Sequence, residues 1–312
     1  MALARRGRFS VDTPVDPGLA GEDASQLAER LPEIVMAAIT ASRTIASGVH
    51  GRRVSGPGEA FWQFRPFQNG EPGARVDWRR SGRDDNLYVR EREWEAAHTL
   101  WVWASTGPGM RYCSPLSEAP KADRALLLAL ALAQLAAAGG ERAGWLGLTR
   151  PRTGIRIAQH IADHLGEALL GTGETLAATP RTPLPRLTQA LIVSDFLDPV
   201  EEIEASITSL AADGAGGHCV MVLDPIEETF PFQGRTEFTG LGNPLRMTVG
   251  RAQTLADDYA ALLAARKDTL RTLCGRLGWS FHVHHTDASA HVPLLALHSL
   301  MTEGTQARVG AA

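Results

Sequence analysis

From residue 99 onward the chain alternates short apolar runs with stretches of helical spacing, and few folds accept that pattern. The run at 99–104, TLWVWA, is short, apolar and followed by turn residues, which fits a strand buried on both faces of a parallel sheet. It ends at Ser105-Thr106-Gly107-Pro108-Gly109. A helix is predicted over 121–138, with Gly139-Gly140 as its stop. Further strands are predicted at 142–149, 154–158, 188–194, 218–223 and 279–285. Further helices are predicted at 160–170, 199–213, 251–277 and 292–301, and 237–238 with 245–249 read as an inserted hairpin. Such alternation implies α/β architecture: a mostly parallel sheet covered on both faces, hence three layers. Ligands of open α/β sheets bind where strands end and the chain turns toward a helix. The loop after residue 104 is therefore the first place to look for function.

The segment before it is dense in arginine, carboxylate and aromatic residues. Arg75, Arg79, Arg80, Arg83, Arg90 and Arg92 sit among Asp77, Asp84, Asp85, Glu91, Glu93 and Glu95. Trp62, Phe64, Phe67, Trp78, Tyr88 and Trp94 offer flat faces on which arginine stacks. The charges nearly balance, so this is no simple nucleic-acid patch. Two readings stand: a charge-laced loop that clamps the N-terminal strands, or a protein-docking surface, since Trp, Tyr and Arg dominate binding hot spots. For docking the residues are Arg75, Asp77, Trp78, Arg79, Arg80, Arg83, Tyr88 and Arg90.

The string Gly58, Glu59, Phe61, Arg65, Gly70, Glu71, Arg75-Val76-Asp77-Trp78, Ser81, Arg83 and Leu87-Tyr88-Val89-Arg90-Glu91, with the later Ser194-Asp195-Phe196-Leu197-Asp198, resembles the signature of the DUF58 family. One departure is Ala60-Phe61, where the family usually has Glu-Phe. The resemblance implies a bacterial protein with a von Willebrand factor A-like (vWA-like) domain. Such sheets commonly hold a divalent ion after their first strand, on an Asp-x-Ser-x-Ser pattern. Here Ser105, Gly107 and Gly109 stand at those three places, with Thr106 as the only added hydroxyl, while Asp195 matches a later acidic position. Mg²⁺ gives up its waters reluctantly, so one carboxylate and a stray hydroxyl are a poor shell. The expectation is a degenerate, metal-free rim made of Ser105, Thr106, Gly107, Gly109 and Asp195, with no cofactor. Asp195 also reads as a turn residue or helix cap. The resemblance further implies a non-catalytic adaptor whose partners are a MoxR-type AAA+ ATPase and an unknown client protein.

Domain boundaries follow from the same patterns. Residues 1–22 read as a tail, 23–98 as an N-terminal helix plus the arginine-aromatic segment, 99–303 as the vWA-like domain and 304–312 as a C-terminal tail. In the first helix Leu27, Leu31, Ile34, Val35, Ala38 and Ile39 recur at helical spacing, and Pro32 kinks it or starts a second segment. The segments 59–67 and 87–94 are extended and pair with each other. MALARRGRFSVD lacks the apolar centre of a secretory signal. The apolar run 125–138 is shorter than the roughly 20 residues a membrane span needs. Three widely spaced cysteines suit a reducing compartment, and the expected location is the cytoplasm. With a net charge of -4, nothing global calls for nucleic acid or an anionic membrane.

Other chemistry is fragmentary. His160-x-x-Asp163-His164 sets two imidazoles one helical turn apart, as a zinc pair requires, but no third ligand follows at a known spacing. His282, His284, His285, Asp287 and His291 form a late cluster, with His282 and His284 on one strand face. There is no P-loop and no Gly-x-Ser-x-Gly elbow, and Gly171-x-Gly173 is too short for a dinucleotide fingerprint. No cysteine has flanks that activate a thiolate. A metal-assisted hydrolase using Asp195 with these histidines, or an anion- or nucleic-acid-binding module on the arginine segment, remain the alternatives to an adaptor.

Overall fold

The computed structural model describes residues 24–49, 61–67, 76, 78–82, 86–92, 98–172, 176–241 and 246–309. It divides into a main unit, Met1–Val49 with His98–Ala312, and a smaller unit, His50–Ala97.

Helix α1 (Ala24–Val49) opens the main unit. Leu27, Leu31, Ile34, Val35, Ala38 and Ile45 fall on one face and are buried. Pro32 lies inside the helix on its exposed side, and the helix runs on past it. In the smaller unit, β1 (Phe61–Pro66) and β2 (Tyr88–Arg92) pair antiparallel, as their extended patterns predict. The register runs from Phe61 opposite Arg92 to Pro66 opposite Tyr88, with an irregularity between Phe61 and Gln63. Between them lies one helical turn, α2 (Trp78–Ser81), whose Ser81 hydroxyl accepts the Tyr88 backbone N–H at 2.9 Å.

The main unit is a three-layer α/β sandwich. Its sheet has five strands: β3 (Thr99–Ala104), β4 (Arg142–Trp145), β5 (Thr188–Ser194), β6 (Gly216–Leu223) and, last in the chain, Ser280–His285. Helices α3 (Lys121–Ala138), α4 (Ile157–Thr172), α5 (Val200–Ala211) and α6 (Pro225–Thr229) follow β3, β4, β5 and β6 in turn. A small antiparallel hairpin, β7 (Thr236–Thr239) with β8 (Arg246–Val249), is the predicted insertion. Then come α7 (Ala256–Arg276), the strand just named, β9, and α8 (His291–Val309). The spatial order is β4-β3-β5-β6-β9, and every neighbouring pair is parallel. Strands buried on both faces need apolar side chains throughout. Accordingly β5 and β6 are buried along their whole lengths. Helix α3 lies across β3 to β6, with α1 packed against α3 and α4. An apolar helix of this kind is buried nearly all round, which is why its sequence looks membrane-like. Among the described residues no helix is long and apolar enough to cross a membrane.

The elements differ from expectation in several places, among them the unpredicted short helices α2 and α6. The strand predicted at 154–158 is absent: only Arg152 bridges to Ala143, and the chain then enters α4. The cause is a side chain from another helix. Gln134 of α3 donates to the Ile155 carbonyl at 2.9 Å and accepts the Ala158 N–H at 3.4 Å, which caps the start of α4 instead. Strand β4 ends at Trp145 rather than 149, because the Thr149 hydroxyl takes the Trp145 N–H at 2.8 Å and folds 146–149 into a turn. At the end of the chain, α8 continues to Val309, so 304–309 are helical rather than a tail.

Candidate functional site

From β3 the chain steps out to β4 on one side, then crosses back to β5 on the other. The connections leaving β3 and β5 therefore diverge at their C-terminal ends, which is where open α/β sheets place their ligands. The loop 105–109, Asp195 and the residues after β6 meet there, and the first residue of α3, Lys121, reaches in among them.

Lys121 is 1% exposed. Its Nζ lies 3.1 Å from Asp195 Oδ2 and 2.7 Å from Glu227 Oε1. Burying an ammonium costs several kcal/mol unless it is paired with good geometry; here two carboxylates pair it. Burial alone pulls the Lys121 ammonium down, but Asp195 and Glu227 outweigh that and hold it above its ordinary value. Glu227 is pushed up by burial more than Lys121 draws it down. The helix does not explain the lysine, since a cation in the first turn opposes the macrodipole. The carboxylates do.

Each partner is fixed by local structure. Glu227 belongs to a capping box at α6: the Asp224 N–H donates to Glu227 Oε2 at 2.8 Å, and Asp224 Oδ1 accepts the Ile226 N–H at 3.0 Å. Asp224 Oδ2 also accepts the Ser114 N–H at 2.9 Å, which ties the loop before α3 to α6. Asp195 sits one residue before Phe196, a non-glycine residue at φ 50, in a turn where Ser194 Oγ accepts the Phe196 N–H at 3.2 Å. Gly109 makes the close approach possible, since a Cβ there would lie 2.9 Å from Asp195 Oδ2.

The two hydroxyls of the rim face elsewhere. Thr106 Oγ1 accepts the Leu176 N–H at 2.9 Å, and its own N–H donates to the Leu176 carbonyl at 3.1 Å. Ser105 Oγ lies 3.5 Å from the Ala177 carbonyl and accepts the Gly107 N–H at 3.3 Å. Gly107 leaves room for Ala177, whose Cβ would lie 3.1 Å from an added one. Ser105, Thr106 and Gly107 thus stitch β3 to the 176–177 strap. A divalent ion needs hard oxygens converging on one point. The hydroxyls turn away and an ammonium fills the gap between the carboxylates, so the residues present do not fit such an ion.

Asp224→Ala is expected to lower the unfolding free energy by about 2 kcal/mol, because it strips a cap and leaves buried N–H groups without an acceptor. Asp224→Asn, which keeps an acceptor oxygen, is expected to cost less. Urea denaturation of the two variants checks the order.

In the arginine segment, Trp78 is 66% exposed, Arg79 is exposed, and the Arg80 guanidinium lies 4.6 Å over the Tyr88 ring. Arg90 pairs through its backbone with Phe64. Arg75, Asp77 and Arg83 lie outside the described residues.

The histidines do not converge. The His160 and His164 rings are 4.5 Å apart, edge to face, and a His164 ring nitrogen sits 3.0 Å from the His160 carbonyl. His282 meets Ser280, His285 pairs with Glu228, His291 meets Ser289, and Asp287 is exposed. Among the described residues no group of three or more His, Cys, Asp or Glu could hold a metal.

Sequence reasoning singled out Asp195 and the rim but not Lys121, Asp224 or Glu227, which the structure brings to the same place. Two signals existed: Asp224-Pro225-Ile226-Glu227 is a capping-box pattern with proline at the first helical position, and Lys121 is a cation at the wrong end of a helix.

The family model described as "Protein of unknown function DUF58" matches residues 63–269. The uncharacterized protein Mb1516 of Mycobacterium bovis is 28% identical over 249 residues, covering 74% of this chain and 76% of that protein. The uncharacterized protein Rv1480 of Mycobacterium tuberculosis matches with the same identity and coverage. No solved structure matches the chain.

Proposed function

We propose, from the premise that this chain belongs to the DUF58 family, that it is a non-catalytic adaptor that works by holding other proteins. The observation that carries this is the buried Lys121 ammonium between Asp195 and Glu227. An α/β sheet of this order presents its ligand site at the switch point, and there the chain's own side chains pair with one another out of solvent's reach. The arginine-aromatic unit offers a different chemistry: an exposed Trp78 beside Arg79, with Arg80 stacked on Tyr88. Tryptophan, tyrosine and arginine are the side chains around which protein interfaces concentrate their energy.

The partner is a MoxR-type AAA+ ATPase, with which the chain matures or remodels a client complex in the cytoplasm. That assignment follows the family resemblance and rests on analogy at the level of family. The test is affinity measurement between the purified chain and a MoxR-type ATPase from the same genome, with and without ATP. Binding is expected, and Trp78→Ala with Arg79→Ala, both exposed, is expected to weaken it by about 2 kcal/mol, roughly thirtyfold in Kd, without shifting the melting temperature. Absence of binding in every nucleotide state, or turnover of a small-molecule ester or phosphate by the isolated chain, would remove the adaptor reading.

A further inference from the structure

We infer that Lys121 is a resident cation, tethered by the chain itself in the place a divalent ion would take between Asp195 and Glu227, so that the rim is closed to metals as long as its ammonium is there. Three observations carry this. First, the two carboxylate oxygens lie 3.1 and 2.7 Å from one point although they come from separate connections, the one after β5 and the one after β6. Carboxylates brought together in the interior repel unless a positive charge lies between them. The pocket is thus built around a cation. Second, that cation stands where the α3 dipole disfavours it, so its position is dictated by the carboxylates and not by its helix. Third, the space is committed. Lys121 is 1% exposed, and Gly109 brings its backbone so close to Asp195 Oδ2 that an added Cβ would sit 2.9 Å away. An ammonium and a metal ion cannot share it.

The same geometry says what happens when the ammonium is removed. Lys121→Ala leaves two carboxylate oxygens facing a gap the length of a lysine side chain. Ca²⁺ accepts six to eight oxygens at about 2.3–2.6 Å in flexible geometry, waters included, whereas Mg²⁺ insists on near-octahedral order. Ca²⁺ is therefore the ion the vacated pocket takes best. In the natural chain, folding and assembly at this rim need no divalent ion, and an acidic side chain of a partner has no metal here to complete.

The experiment is thermal unfolding and calorimetric titration of the full chain and of Lys121→Ala, each with EDTA, Mg²⁺ and Ca²⁺. For the natural chain, neither ion nor chelator is expected to move the melting temperature. Lys121→Ala is expected to melt lower, and Ca²⁺ is expected to raise its folded-to-unfolded ratio at least about tenfold in a saturable, one-to-one manner. Adding Asp195→Asn to that variant is expected to abolish the response. One-to-one binding of Mg²⁺ or Ca²⁺ by the natural chain overturns the inference, and so does a folded Lys121→Ala that ignores Ca²⁺. If Lys121→Ala does not fold in EDTA, refolding with Ca²⁺ present decides the matter: recovery supports the inference and failure overturns it. The Lys121 pairing also carries the adaptor reading, so metal binding by the natural chain would remove that observation as well; the outcomes for Lys121→Ala leave the adaptor reading to partner binding.

Discussion

Lys121→Met is expected to cost the folded chain about 3–5 kcal/mol of unfolding free energy, the range for removing one partner of a buried ion pair. Methionine keeps most of the volume of the lysine stem, so little of the loss comes from a cavity. It comes from Asp195 and Glu227, which remain buried with nothing between them. The contrast that identifies the cause is the triple variant Lys121→Met, Asp195→Asn, Glu227→Gln. Replacing a whole buried ionic set by neutral groups of similar shape is often close to neutral, so most of the lost stability is expected to return. The two carboxylate changes alone, with Lys121 retained, strand the ammonium and are expected to be as damaging as its removal. The pH dependence follows. A carboxyl whose folded value lies above its unfolded one makes stability fall as pH rises through that interval. Glu227 is already raised by burial, and losing Lys121 removes the main influence that holds it down. Lys121→Met is therefore expected to be relatively more stable in mild acid than at neutral pH. Urea denaturation at two pH values measures both effects, and a cost below about 1 kcal/mol, the value of an exposed pair, would sink the assignment.

That pairing also marks where sequence reasoning stops. The apolar runs at 99–104, 188–194 and 218–223 announce buried parallel strands because nothing else suits a chain flanked by helices on both faces. Asp195 could be singled out from its place after a strand and from the family pattern. The Lys121 contacts could not, since they join residues 74 and 106 positions apart with no periodicity to signal them. What the sequence did carry was an inconsistency. A lysine opening an apolar helix, against the dipole, breaks a local rule, and such breaks gather at sites held by tertiary contacts. Gln134 is a parallel case. Within an apolar helix it looks like a tolerated polar residue, yet it caps α4 and so cancels the strand predicted over 154–158.

The natural chain is expected to lose up to about 3 kcal/mol through one imidazole as pH falls from 6.5 to about 4. His284 lies in β9 opposite Val222 and is 4% exposed, and its Nε2 has no hydrogen-bond partner among the described residues. Burial, then the nearby Arg124, then His285 push its protonation down to about 4. Arg124 is anchored there, donating to the Thr286 carbonyl at 2.8 Å at the end of the same strand. The unfolded chain takes up this proton near 6.5 and the folded chain only near 4, so the unfolded state binds more protons across the interval. Stability is therefore complete above 6.5 and lost on the way down to about 4. His282 and His298, also lowered by burial, act in the same sense, while Glu227, Glu141 and Asp198, raised first of all by burial, act against it. A single profile mixes these, so the informative quantity is the difference between the natural chain and His284→Leu. Leucine fills a similar space, carries no proton and removes a buried polar atom without a partner, which costs little or even helps at neutral pH. Across that interval the difference is expected to move by about 3 kcal/mol in favour of the variant. Parallel profiles for the two proteins would mean that the folded chain protonates His284 as readily as the unfolded one, and that the strand end opens to water in acid.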